Sequence, residues 1–192
     1  MTGLPLLVDG AIRLQPLAEC HREPLKAACA ADQEIWEIYS IDLRGDGFDR
    51  WFDSVTAAGP AWLMWAVCQE DEVVGMTGLS PDPRTPGVVE IGTTFLVPNV
   101  RGSGLNRAVK RMVLSHVFGT GAHRVEFRVD DRNARSKAAV LKLGARHEGL
   151  LRRHKITHTG FIRDTNIFAI LDIEWPEIGA SLGSGALKPG AP

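Results

Sequence analysis

The spacing of apolar and polar positions changes period in a readable order along the chain. "AIRLQPL" alternates, which predicts a short strand around Ile12 to Leu14. "LAECHREPLKAACAADQEIWEIY" carries helical spacing, broken or begun again near Pro24 and Asp32. Gly45 and Gly47 mark a loop, and "FDRWFDSVTAA" then sets Phe48, Trp51, Phe52 and Val55 on one helical stripe. "AWLMWAVCQ" and "EVVGMTGLS" flank an acidic turn and predict a hairpin, followed by the proline-rich loop "SPDPRTPG" and the strand "VVEIGTTFLV". Leu105, Val109, Met112, Val113 and His116 recur at helical spacing until Gly119 and Gly121. "RVEFRVD" alternates strictly, with Val125, Phe127 and Val129 on one face. "NARSKAAVLKLG" is a short helix that Asn133 can cap and Gly144 can stop. "ARHEGLLRRHKI" and "RDTNIFAILDIEW" predict two final antiparallel strands, and residues 179–192 a flexible tail.

This order (strand, two helices, three strands, helix, strand, helix, two strands) predicts an α/β fold. Its sheet is mixed and mostly antiparallel, with helices on both faces, in a single domain over residues 1–178. The 192 residues suffice for one core. No run approaches the ~18 apolar residues of a membrane span. The N-terminus lacks the basic and apolar segments of a signal peptide, and three cysteines form no even framework, so a cytoplasmic protein is expected.

A net charge of −1 conceals segregation. Residues 1–100 carry 6 Lys/Arg against 15 Asp/Glu, while residues 101–155 carry 14 against 4. Solvated faces explain much of this. An acidic half and a basic block also suit a cationic partner on one side and an anionic one on the other. The basic block lacks interleaved aromatics apart from Phe118 and Phe127, so nucleic acid is not expected as a partner. The six histidines show no ligand spacing, so no metal is expected.

The junction "VRGSGLN" joins a strand to a helix through two glycines. A helix start leaves its first N–H groups unpaired, and glycines let an anion approach them. Arg101 adds charge at the rim and Ser103 a hydroxyl. A P-loop is excluded because Leu105-Asn106 follow Gly104, and Arg107 stands where a Rossmann fingerprint needs its third glycine. The remaining pattern is Arg-x-x-Gly-x-Gly/Ala, with Asn106 departing at its last place.

This junction, the element order and "NARSKAAVLKLGARHEG" together resemble the GCN5-related N-acetyltransferases over roughly residues 8–178. The closer likeness is to the branch of bacterial ribosomal-protein N-terminal acetyltransferases. The resemblance implies acetyl-CoA as co-substrate and a primary amine as acceptor. That amine is a protein N-terminus or, alternatively, a small molecule such as an antibiotic or polyamine; a non-catalytic acyl-CoA sensor is the rival. It implies that backbone from Thr94 through Phe95, Leu96 and Val97 pairs with the pantetheine arm. Arg101, Gly102, Ser103, Gly104, Leu105 and Asn106 would grip the pyrophosphate. Asn133 would bond near the pantetheine, and Ser136 would lie near the thioester sulfur as general acid. Where many members carry a tyrosine acid on this helix, Val140 stands here, and the only tyrosine is Tyr39. Trp36, Trp51 and Asp164 fall on elements that border the acceptor site in the family; core packing for the two tryptophans and a surface pairing of Asp164 with Arg163 are their more ordinary alternatives. The state would be monomer or homodimer.

Acetyl transfer needs a base for the amine proton and an acid for the thiolate. Glu90, on the strand leading to the loop, is the first candidate base; a solvent-facing strand glutamate is its ordinary alternative. Glu126 and Asp130 are further candidates, Asp130 at the end of the strand where a parallel pair should splay.

Overall fold

The computed structural model describes residues 3–57, 59 and 61–183. The predicted strands appear as β2 (Ile12–Pro16), β3 (Leu63–Gln69), β4 (Glu72–Pro81), β5 (Val88–Leu96), β6 (Arg124–Asp130), β7 (Arg146–Ile156) and β8 (Ile162–Leu171). A further three-residue strand, β1 (Leu7–Asp9), precedes them. They form one sheet in the order β1-β2-β3-β4-β5-β6-β8-β7. Every pair is antiparallel except β5–β6.

The helices are α1 (Arg22–Ala30), α2 (Asp46–Thr56), α3 (Leu105–Gly119), α4 (Ala134–Lys142) and α5 (Trp175–Gly183). The long helical pattern of residues 17–39 resolves into α1 flanked by 3₁₀ turns at Glu19–His21 and Glu34–Ile38. The restart expected at Asp32 is visible: its carboxylate accepts the Ile35 N–H at 3.2 Å. Two expectations fail at the C-terminus. The last strand stops at Leu171, and Trp175 begins a helix rather than ending that strand. Pro176 in the first helical turn was the sequence signal, since its missing N–H costs nothing there. Residues 179–183 of the expected tail therefore belong to α5, and the remainder of that tail lies outside the described residues.

The two faces of the sheet are covered differently. One core packs α3, α4 and α5 against strands from β2 to β8; it takes Val125, Phe127 and Val129 from β6, and Phe168 and Ile170 from β8. The other packs α1, the 34–38 turn and α2 against Met64, Met76 and Phe95 of β3, β4 and β5. Among the described residues, no buried residue of β6, β7 or β8 joins that second core, and no helix lies over the polar face of β6 and β8. Strict alternation alone assigns Glu126, Arg128 and Asp130 to that face.

Candidate functional site

The parallel pairing of β5 with β6 lasts only three residues, Val88↔Arg124, Val89↔Val125 and Glu90↔Glu126. Past Glu90 the two strands splay. On its other edge β5 carries a bulge: Met76↔Phe95 is followed by Gly78↔Gly92, so Thr93 and Thr94 oppose Thr77 alone. Thr93 takes a positive φ of 47° there. One inserted residue reverses the parity of the strand. Val89 and Ile91 face the α3 core before the bulge. After it Leu96 does so, while Phe95 turns to the α1–α2 core.

The strand leads through a 3₁₀ turn, Pro98–Val100, into the glycine loop and α3. Gly102 and Gly104 sit at φ 81° and 96°, a left-handed region in which any side chain is strained. A Cβ on Gly102 would meet nothing within 4 Å, so the outer side of the loop is open. Val100 and Arg101 spend their N–H groups on Val97 and Pro98, and Ala108 donates to the Gly104 carbonyl. Between them, the N–H groups of Gly102, Ser103, Gly104, Asn106 and Arg107 find no acceptor among the described residues. That is a row of donors at a helix start. Ser103 takes no outward role: its hydroxyl donates to the Val100 carbonyl at 2.7 Å and receives the Leu105 N–H at 3.3 Å. The Leu105 side chain is core, and Asn106 is half-buried.

Arg101 differs most from its expected place. Its guanidinium turns inward, donating to the Leu96 carbonyl at 2.8 Å and to Asp32 at 2.5 Å, and it lies 5.6 Å from the Phe95 ring centre. Its Nη2 is buried without an acceptor among the described residues. Arg101 therefore braces the loop against the 3₁₀ turn instead of charging its rim. The Thr94 carbonyl is likewise engaged, by the Tyr39 hydroxyl at 2.5 Å. Two strand carbonyls expected to pair with a pantetheine arm are thus occupied, and the side chains of Phe95 and Leu96 are buried in the cores, with Val97 packed between them.

Glu90 ends the paired segment on the open face. Burial pushes its carboxyl above the usual range, against the pull of Arg128 and Lys155. Arg128 Nε lies 3.5 Å from it, and Arg128 also pairs with Glu126. A pocket of about 190 Å³ is lined by Glu90, Glu126, Arg128, Ser80 and Asp82. A larger cavity of about 580 Å³ lies between α1 and β4, but its walls are mostly Pro24, Ala27, Val74, Val97 and other apolar groups, with acids only at Asp71 and Glu72. Glu90 and the splay lie at the smaller pocket and not at this one. Asp130 is buried, and although burial pushes the other way, bonds from Arg132 hold its carboxyl below the ordinary value. Such a carboxylate is a poor proton acceptor. Glu126 is committed to Arg124 and Arg128.

Asn133 caps α4 by accepting the Ser136 N–H at 2.9 Å. That leaves the half-buried Ser136 hydroxyl with no hydrogen bond among the described residues. Val140 is core, so no side chain from that position reaches the splay. Trp36 is fully buried, bonded to the Cys29 carbonyl and packed on Phe95 and Tyr39. It offers no atom to an acceptor. Trp51 is half-buried against Phe48 and Phe52. Asp164 is spent on the backbone: it accepts the Arg153 N–H at 2.6 Å, where β7 bulges and Arg153 takes φ 49°.

Three residues with a part here escaped the sequence reading. Lys110 is buried under the β5 bulge, donating to Thr94 at 2.5 Å and Thr77 at 3.1 Å, and desolvation brings its ammonium down to about 7. In the sequence it is one cation of the basic block, and its place one residue after Val109 was the only hint of burial. Tyr39 reaches Thr94 from the far side, half-buried and pushed up by desolvation to about 12. Arg163 points away from Asp164, because strand alternation sends neighbours to opposite faces.

The same chain segment is matched by the family model "Acetyltransferase (GNAT) domain" over residues 11–146. A GCN5-related N-acetyltransferase from Brucella melitensis superposes with a TM-score of 0.86 at 25% identity, covering 94% of this chain and 84% of that one. Mycobacterium smegmatis RimJ, solved in complex with CoA-disulfide, shares the fold with a TM-score of 0.76 at 24% identity, over 93% and 91% of the two chains. A mycothiol acetyltransferase from Paenarthrobacter aurescens (strain TC1) is 28% identical over 121 residues, 62% of this chain and 36% of that protein, so the match spans about a third of that relative's length.

Proposed function

The chain belongs to the acetyltransferase (GNAT) family, and on that premise we propose that it moves an acetyl group from acetyl-CoA to a primary amine by direct transfer. The observation that carries this is the alignment of two features on one strand. The unpartnered N–H groups of Gly102, Ser103, Gly104, Asn106 and Arg107 follow the C-terminal end of β5, and Glu90 stands on the same strand where β6 departs. The loop fits a diphosphate: its donors are free, its outer side is open, and its glycine conformations are ones only glycine adopts without strain. When bound, acetyl-CoA supplies the activated thioester.

The remaining chemistry belongs to the chain. Glu90 takes the proton of the acceptor ammonium, directly or through water. Burial raises its carboxyl, against the pull of Arg128, and so makes it a better base than a solvated glutamate. The Ser136 hydroxyl is the donor available to the departing sulfur. Asn133 fixes the start of α4 and with it the place of Ser136. The acceptor amine approaches Glu90 from the face of β5 and β6 that no described helix covers. This reading takes either a protein N-terminus or a small amine as acceptor.

The test is release of free thiol from acetyl-CoA with a panel of primary amines and N-terminal peptides. At least one acceptor should raise thiol release well above the rate in buffer. Tight CoA binding with no release by any amine would make the protein a sensor and end the transferase reading.

A further inference from the structure

The open face of β6 and β8 holds a cation that the mechanism does not use. Arg163 is 7% exposed. It stands opposite Lys155 in the β7–β8 register, so the two share a face. Its Nε donates to Thr165 at 3.1 Å, and neither Nη has an acceptor among the described residues. No carboxylate there lies within ion-pair distance of it. The acids that face it are committed elsewhere, Glu90 to Arg128 at 3.5 Å and Asp130 to Arg132 at 2.8 Å. The other groups facing it, His154, Lys155 and Arg132, are basic. Its Nη groups keep contact with solvent and have no anion beside them, and the planar fork they form matches carboxylate and phosphate oxygens. The unpaired surplus on this face is therefore positive, which reverses the expectation of a cationic acceptor drawn from the acidic N-terminal half.

We propose that Arg163 is the centre of an anion subsite beside Glu90, and that the amine acceptor carries a carboxylate or phosphate that pairs with it. This rests on the transferase reading for its site but not for its measurement. Product analogues are titrated by calorimetry into the protein with and without CoA: N-acetylglycine against N-acetylglycinamide, and N-acetyl-O-phosphoethanolamine against N-acetylethanolamine. In the wild type the anionic member of at least one pair should bind about tenfold or more tightly than its neutral partner, as one charge-assisted bond pair allows. The pair with the larger ratio tells carboxylate from phosphate. Arg163→Gln should bring the anionic member down to its partner while CoA affinity and the neutral member stay unchanged. Arg163→Lys should keep part of the preference, and serves if the glutamine variant does not fold. Equal binding within both pairs, no binding by any member, or a preference that survives Arg163→Gln would overturn the subsite. Thiol release with neutral amines only would do so while leaving the transferase reading intact.

Discussion

The two ends of the β5–β6 splay are made of different materials. At the loop the groups that can hold a ligand are backbone N–H donors between Gly102 and Arg107, exposed because the chain turns from strand to helix. The charged side chain just before that segment, Arg101, has gone inward as a brace. At the open face the backbone is spent on strand ladders, and the side chains of Glu90, Arg128 and Arg163 come from three strands. One end is a local property of a few consecutive residues. The other is assembled across some 70 positions of sequence, from Glu90 to Arg163, and only exists once the sheet has formed. A binding site for an invariant group can be built from backbone, because every residue has one; selection among acceptors needs side chains.

Changes at either end test that division. The largest effect is expected at the face: Glu90→Gln should lower kcat by about 10²–10⁴ with CoA affinity unchanged, the range for removing a general base. Wild-type activity should fall as pH drops through the raised carboxyl of Glu90, because the protonated form cannot accept the amine proton. Arg128→Gln removes a charge that favours ionisation, so the acid limb should move to higher pH. A pH–rate profile identical in Glu90→Gln and wild type would show that another group is the base.

Next come the brace and the cradle, read by different assays. Arg101→Ala leaves Asp32 half-buried without its partner and frees the Leu96 carbonyl, and should cost about 2–3 kcal/mol of stability in denaturant titration. Gly104→Glu should instead weaken CoA by about a hundredfold, roughly 2.7 kcal/mol, by placing a carboxylate and a strained φ beside the donors. If Arg101→Ala lost CoA affinity at wild-type stability, its charge would belong to the cradle after all.

A separate effect, read as stability against pH, concerns Lys110, beneath the bulge. Its folded value of about 7 lies below the ordinary 10.5, so between those the unfolded chain holds the extra proton and stability should rise with pH. Lys110→Met should flatten that slope and leave the wild-type gain absent. An unchanged slope would assign it to other groups. The same variant probes the bulge: CoA affinity should fall if Thr94 loses its place.

Much of this was legible from local pattern. Alternation in "RVEFRVD" told which side of β6 is core, and Asn133 was readable as a cap from its place before an apolar-periodic run. The glycine junction announced free helix donors for the same reason. The structure added most where a polar side chain had a choice of neighbours. The side chains of Arg101, Ser103 and Asp164 are all hydrogen-bonded to this chain's own backbone. Trp36 takes its ordinary alternative, the core. Polar residue type fixes what a side chain can bond, not which of several acceptors comes within reach.

The sequence by itself determined the periods, the caps, the strand-to-helix turn and hence the row of unpaired amides, because each depends on residues a few positions apart. Only the tertiary structure decided that β5 carries a bulge, that Lys110 is buried beneath it, and that Glu90 meets Arg128 and shares with Arg163 a face that no described helix covers. Those depend on which strands lie side by side. Strand pairing is set by the burial of whole faces rather than by any short run of residues.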